Sequence, residues 1–135
     1  MWNRIWSDNK TFEPSEKTNA FVERMYTKAL GRTFDEEGKR YWANELANFR
    51  ISGEQVALAF FMSEEFINSN ISDDEFVNRL YLTFMDRSAD PEGYHYWINA
   101  LASSEQTRES AVLGFARSYE FESLCKDSMI KPYFE

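Results

Sequence analysis

Cysteine occurs once in the chain, at Cys125, which excludes an internal disulfide and any metal site built from several thiolates. Glycine, with five residues, and proline, with three, are scarce. That sets the chain against a turn-dense all-β design and against disorder, and favours long helices with short connections. No uninterrupted apolar run approaches the roughly 20 residues that a membrane-spanning helix needs, so no membrane insertion is expected. The opening "MWNRIWSDNK" has no apolar signal-peptide core. Such a start suits a cytosolic protein or a module of a larger secreted parent. Basic residues are outnumbered: 15 Lys and Arg face 23 Asp and Glu, for a net charge of −8 and a pI near 4.7. Nucleic acid and anionic membrane surfaces are poor partners on that balance, because neutralising phosphates takes clustered Lys and Arg. A cationic partner, calcium or plain solubility remain open.

What the chain has is hydrophobic bulk and repetition. Its 135 residues are 43% hydrophobic and 17% aromatic, enough for one domain with a sizeable core. Phe76 stands 55 residues after Phe21, and at that offset the sequence falls on itself without a gap. "FVERMYTKALGRTFDEEGKRYWANELA" lies over "FVNRLYLTFMDRSADPEGYHYWINALA", and "VALAFFMSEEF" over "AVLGFARSYEF". The identities include Phe21/Phe76, Arg24/Arg79, Tyr26/Tyr81, Arg32/Arg87, Asp35/Asp90, Gly38/Gly93, Trp42/Trp97, Ser63/Ser118 and Phe66/Phe121. The chain is a tandem duplication.

Each copy reads as helices. Phe21, Val22, Met25, Tyr26, Ala29 and Leu30 form one helical stripe, and Gly31 sits where a left-handed terminal residue is wanted. Its counterpart Asp86 tolerates that conformation less well, so this cap is expected to differ between copies. Asp35 and Asp90 start the second helix, with Pro91 in its first turn; Tyr96, Trp97, Ala100 and Leu101 make its buried stripe. "SGEQ" (52–55) and "TRES" (107–110) cap a third helix whose Val56, Leu58, Ala59 and Phe60 face the core. Ser63 and Ser118 cap a short fourth helix, and "SDDE" (72–75) is a capping box opening the second copy. The fold class is all-α: a compact helical domain of two tandem, roughly four-helix repeats. The expected organisation is an N-terminal segment packing on the core (1–19), a first repeat (20–70), a second repeat (71–126) and an apolar tail (127–135). Trp2, Ile5 and Trp6 at one end, and Met129, Ile130, Tyr133 and Phe134 at the other, are expected to cover core surface.

The two corners, "GRTFDEEG" and "DRSADPEG", hold the candidate site residues Arg32, Asp35, Gly38, Arg87, Asp90 and Gly93. A calcium loop aligned on Gly38 would use Thr33, Asp35, Glu37 and Asn44, and on Gly93 would use Ser88, Asp90, Glu92 and Asn99. Position 1 then lacks a carboxylate and position 12 has only an amide, so no metal site is expected. The arginines are read as capping the carbonyls at the end of the first helix while pairing with the acid that starts the next. Gly38 and Gly93 are read as admitting another backbone at close range. Each Trp is expected in the core with its N–H on a backbone acceptor, and each preceding Tyr at the rim. His95 has Arg40 as its counterpart and no placeable nucleophile, so no catalytic residue, no cofactor and no enzymatic activity are expected.

On these motifs the two copies resemble the bacterial family known as domain of unknown function 4214, whose pattern runs Phe-Val…Leu-Tyr…Leu-Gly-Arg…Asp…Gly…Tyr-Trp and ends in Ser-x-Glu-Phe. That family is similar to the linker domains of phycobilisomes. The resemblance implies a non-enzymatic interaction or assembly module of a secreted or surface-attached bacterial protein, with cytoplasmic residence as the other setting. The implied partner is a protein or a neighbouring domain of a larger chain. The alternative is a glycan- or calcium-dependent surface-binding domain.

Overall fold

A computed structural model of the protein describes residues 11–135. Among them are eight helices: α1 (Glu16–Arg24), α2 (Glu36–Ala47), α3 (Gly53–Phe61), α4 (Glu64–Ser69), α5 (Asp73–Leu80), α6 (Pro91–Ala102), α7 (Arg108–Ala116) and α8 (Tyr119–Asp127). Each starts on a Ser, Thr or Asp whose side chain accepts a hydrogen bond from the backbone N–H three residues on. Such caps contribute about 1 kcal/mol each, and they explain why short helices follow one another with so little glycine. Reciprocal capping boxes form at Ser52–Gln55 and Thr107–Ser110. Ser72 caps α5 but forms no box, because the Glu75 carboxylate turns instead to Arg79 at 3.0 Å.

The first helix of each copy widens at its end. α1 runs on into a π-helical stretch, Met25–Leu30, and α5 into Tyr81–Met85. Both stretches end on a left-handed residue, Gly31 at φ 73° and Asp86 at φ 55°. The cap at Asp86 therefore does not differ in backbone conformation from its counterpart, contrary to the sequence expectation. The aspartate sits beside Arg24, whose charged form it favours against burial, and that attraction opposes the strain. The carbonyls that π-helical ends leave without an ordinary helical partner are taken across the repeat boundary. Arg24 Nε donates to the Thr83 carbonyl at 3.2 Å, and Arg79 Nη1 to the Ala29 carbonyl at 2.9 Å. The two equivalent arginines thus tie each copy to the other.

The core is shared. α3 packs on α7, and the widened ends of α1 and α5 pack on each other. Phe61 stacks on Phe84 at 6.0 Å, Phe84 meets Phe121 edge-on at 4.9 Å, and Phe21 meets Phe121 at 5.9 Å. The third-helix stripe differs from expectation: Val56, Ala57, Phe60 and Phe61 are buried, Leu58 is half-buried and Ala59 is exposed. α3 is sandwiched between α7 and the first helix, so its buried surface is centred on the Ala57–Phe61 row. In the tail only Ile130 is buried; Met129 and Phe134 are exposed, since the turn at Ser128–Met129 directs Ile130 alone inward. The Lys131 and Pro132 carbonyls accept from the Gly53 and Glu54 N–H groups at 2.8 Å each, closing the N-terminus of α3. The expected packing of Trp2, Ile5 and Trp6 lies outside the described residues.

Candidate functional site

The site expected from sequence is the corner between the first and second helix of each copy. Tyr26 and Tyr81 leave the widened helix ends buried, and Arg32 and Arg87 lie over their rings with the guanidinium carbon 5.2 and 5.3 Å from the centroid. Arg32 grips Glu65 with two bonds, Nε–Oε2 at 2.6 Å and Nη2–Oε1 at 3.1 Å, while Nη1 donates to the Thr33 carbonyl at 2.9 Å. Arg87 repeats this on Glu120, at 2.9 Å for both bonds, and on the Ser88 carbonyl at 3.0 Å. The fork ties the corner to the N-terminus of the fourth helix. The arginine's main partner is therefore the Glu of Ser-x-Glu-Phe, and its carbonyl lies in the connection instead of at the helix end. The expected ion pair with the helix-starting aspartate is present only between Arg87 and Asp90, at 3.6 Å. Asp35 and Asp90 turn their carboxylates inward to the Gly38 and Gly93 N–H groups, at 2.6 and 2.9 Å, and that geometry keeps them from the full reach of the arginines.

The glycines admit a side chain, not a backbone. A Cβ built on Gly38 would overlap the Tyr26 hydroxyl, and one on Gly93 the Tyr81 hydroxyl. These hydroxyls lie against the helix start because the rings come up from the core beneath it. Trp42 and Trp97 are half-buried, packed on Phe60 at 5.6 Å and Phe115 at 5.3 Å, so the core expectation holds only for part of each ring. The expected hydrogen bond from each Trp N–H to a backbone acceptor is not made among the described residues; against the larger effect of burial, which raises the neighbouring Tyr26 and Tyr81 phenols, each Trp instead lowers them slightly. Tyr41 and Tyr96 are 57% and 47% exposed, as the rim position expected of each requires, and Tyr96 therefore does not take the buried-stripe position also read for it. α6 lies at the edge of the bundle and buries chiefly Ala100.

The electrostatics follow from this geometry. Hydrogen bonds from the arginines hold the Glu65 and Glu120 carboxyls below the usual range and push Arg32 and Arg87 up. The backbone bond from Gly93, with Arg87 behind it, lowers Asp90. Burial, then the Asp35 or Asp90 charge, raises the Tyr26 and Tyr81 phenols. Burial pushes the Cys125 thiol up to about 12, which leaves it protonated and unreactive. Between Arg32, Glu65, Trp42 and Phe60 lies a shallow depression of about 190 Å³. Among the described residues no group of three or more His, Cys, Asp or Glu could hold a metal ion, and no helix is long and apolar enough to cross a membrane.

The corner thus defines an all-α, tandemly repeated helical module whose shared polar residues bind one another. The family model described as domain of unknown function (DUF4214) matches the chain twice, over residues 7–70 and 61–125. The chain belongs to this family. Residues 61–70, which hold α4, fall within both matches. No curated protein matches the chain. Sequence reading missed Glu65 and Glu120 as the arginines' partners. The signal was available: both glutamates stand 33 residues after their arginines in both copies.

Proposed function

We propose that the chain is a non-enzymatic interaction or assembly module that presents a rigid helical face to a protein partner, as part of a secreted or surface-attached bacterial protein. The observation that carries this reading is the way the corner spends its polar groups. Arg, Glu and Asp, the residues best suited to chemistry, are engaged with each other and with backbone in both copies. What they maintain is a scaffold, with an acidic exterior given by the −8 charge. His95 stands exposed on α6 without a shared counterpart, and Cys125 is sealed in the core, which further supports a binding role over a catalytic one.

The test is affinity capture with the full chain from cell-surface and secreted fractions of the source bacterium, competed with free chain. The reading predicts one or a few proteins enriched saturably and displaced by the competitor. Absence of any competed protein, together with saturable binding on a glycan array or turnover of a substrate, would contradict it.

A further inference from the structure

Comparing the two copies at exposed positions separates what the fold needs from what it does not. Of the exposed or half-exposed residues that the copies share, Arg32/Arg87 and Glu65/Glu120 form the forks, and Asp35/Asp90 cap helices. Three identities on the second helix have no such task. Glu37, Tyr41 and Asn44 on α2, and Glu92, Tyr96 and Asn99 on α6, recur at i, i+4 and i+7. That spacing places each trio on one helical face, a stripe about 10 Å long. Glu37 and Glu92 are exposed, and among the described residues no side-chain hydrogen bond or ion pair engages them or the two asparagine amides. The tyrosine rings are held edge-on by the neighbouring Trp, at 5.1 Å for Tyr41–Trp42 and 5.0 Å for Tyr96–Trp97. Tyr96 adds one long hydrogen bond, accepted from Gln106 at 3.4 Å.

We infer that the two Glu-Tyr-Asn stripes are corresponding docking sites, one in each copy, for a basic, Lys- or Arg-bearing segment of a protein partner. This rests on reading the chain as a protein-binding module and adds the partner's chemistry. A carboxylate one turn from an oriented phenol ring accepts a cation by ion pairing and by cation–π attraction together. The amide a further turn on offers a donor and an acceptor to the partner's backbone. The chain's charge of −8 attracts such a segment from a distance. The copies are unequal: Arg40, three residues after Glu37, competes with an incoming cation, whereas His95 occupies that place after Glu92, and Asn44 is half-buried where Asn99 is exposed. The second stripe binds more tightly.

The probe is an oligolysine peptide titrated onto the full chain by fluorescence anisotropy. Tyr96→Leu, which changes no charge, weakens binding roughly two- to fivefold, the value of an exposed cation–π contact, and Tyr96→Phe restores it. Glu92→Gln weakens binding more than Glu64→Gln, a control of the same charge change on α4. All four variants keep the wild-type melting temperature. Equal binding by Tyr96→Leu and wild type, equal effects of the two glutamines, or no oligolysine binding would overturn the inference. A captured partner whose binding survives Tyr41→Leu/Tyr96→Leu also overturns it while leaving the module reading intact. Failure to capture any protein counts against the module reading instead.

Discussion

At the scale of single residues, the shared glycines carry a sharper constraint than their place in a helix suggests. Gly38 leaves room for a hydroxyl on a ring that is itself 4% exposed, so neither atom has anywhere to go. Gly38→Ala is expected to lower stability by about 1–3 kcal/mol, the usual cost of overpacking. Tyr26→Phe in the same chain recovers part of that loss, a coupling that denaturant melts in a double-mutant cycle measure. Thr83 gives the opposite sign. Its hydroxyl is buried and its oxygen has no hydrogen-bond partner, so Thr83→Val removes a desolvation cost at constant shape. The variant should gain about 1 kcal/mol, read as a rise of a few degrees in Tm. The pairing of Arg32 with Arg87 and Gly38 with Gly93 was legible in the sequence because identity at one offset marks it. Which atom fills the glycine's space was not, since Tyr26 and Gly38 meet only once the corner has closed.

At the scale of elements, caps were the most readable feature and helix ends the least. Ser, Thr and Asp announce seven of the eight described starts, because the bond each makes is local, three residues on, while sequence reading missed Ser15, which caps the first. The π-helical ends at Met25–Leu30 and Tyr81–Met85 depend on arginines from the other copy, and nothing within either segment encodes that. The forks that brace the fourth helices have a pH signature. Their carboxyls are depressed in the folded state, so their contribution is complete above the ordinary Glu pKa and is lost as pH falls through the folded value. Arg32→Gln/Arg87→Gln should therefore be less stable than wild type at pH 7, with the gap narrowing below about pH 4 in parallel urea melts to what the arginines' carbonyl and ring contacts contribute. The groups are 42–50% exposed, so the gap at neutral pH is small, about 1 kcal/mol or less for each fork, and shrinks further in high salt.

At the scale of the whole molecule, duplication has produced one body, not two beads. Phe61 of the first copy stacks on Phe84 of the second, Arg24 and Arg79 cross the boundary in opposite directions, and the tail after α8 closes the start of α3. Arg117 of the second copy grips Glu54 of the first at 2.6 and 3.1 Å, under the ring of Tyr133. The all-α class and the two copies follow from periodicity and offset alone. Their fusion does not: some of the residues that fuse them, such as Phe61 opposite Ala116 or Gly53 opposite Arg108, differ between copies, and the shared Arg24 and Arg79 do not reveal in sequence that their partners lie in the other copy. Differential scanning calorimetry of Gly38→Ala beside the wild type tests this most directly. The account predicts a single transition in both, with equal calorimetric and van't Hoff enthalpies, moved as a whole to lower temperature by a change in the first copy alone. Two transitions in the variant, one of them still at the wild-type temperature, would contradict it.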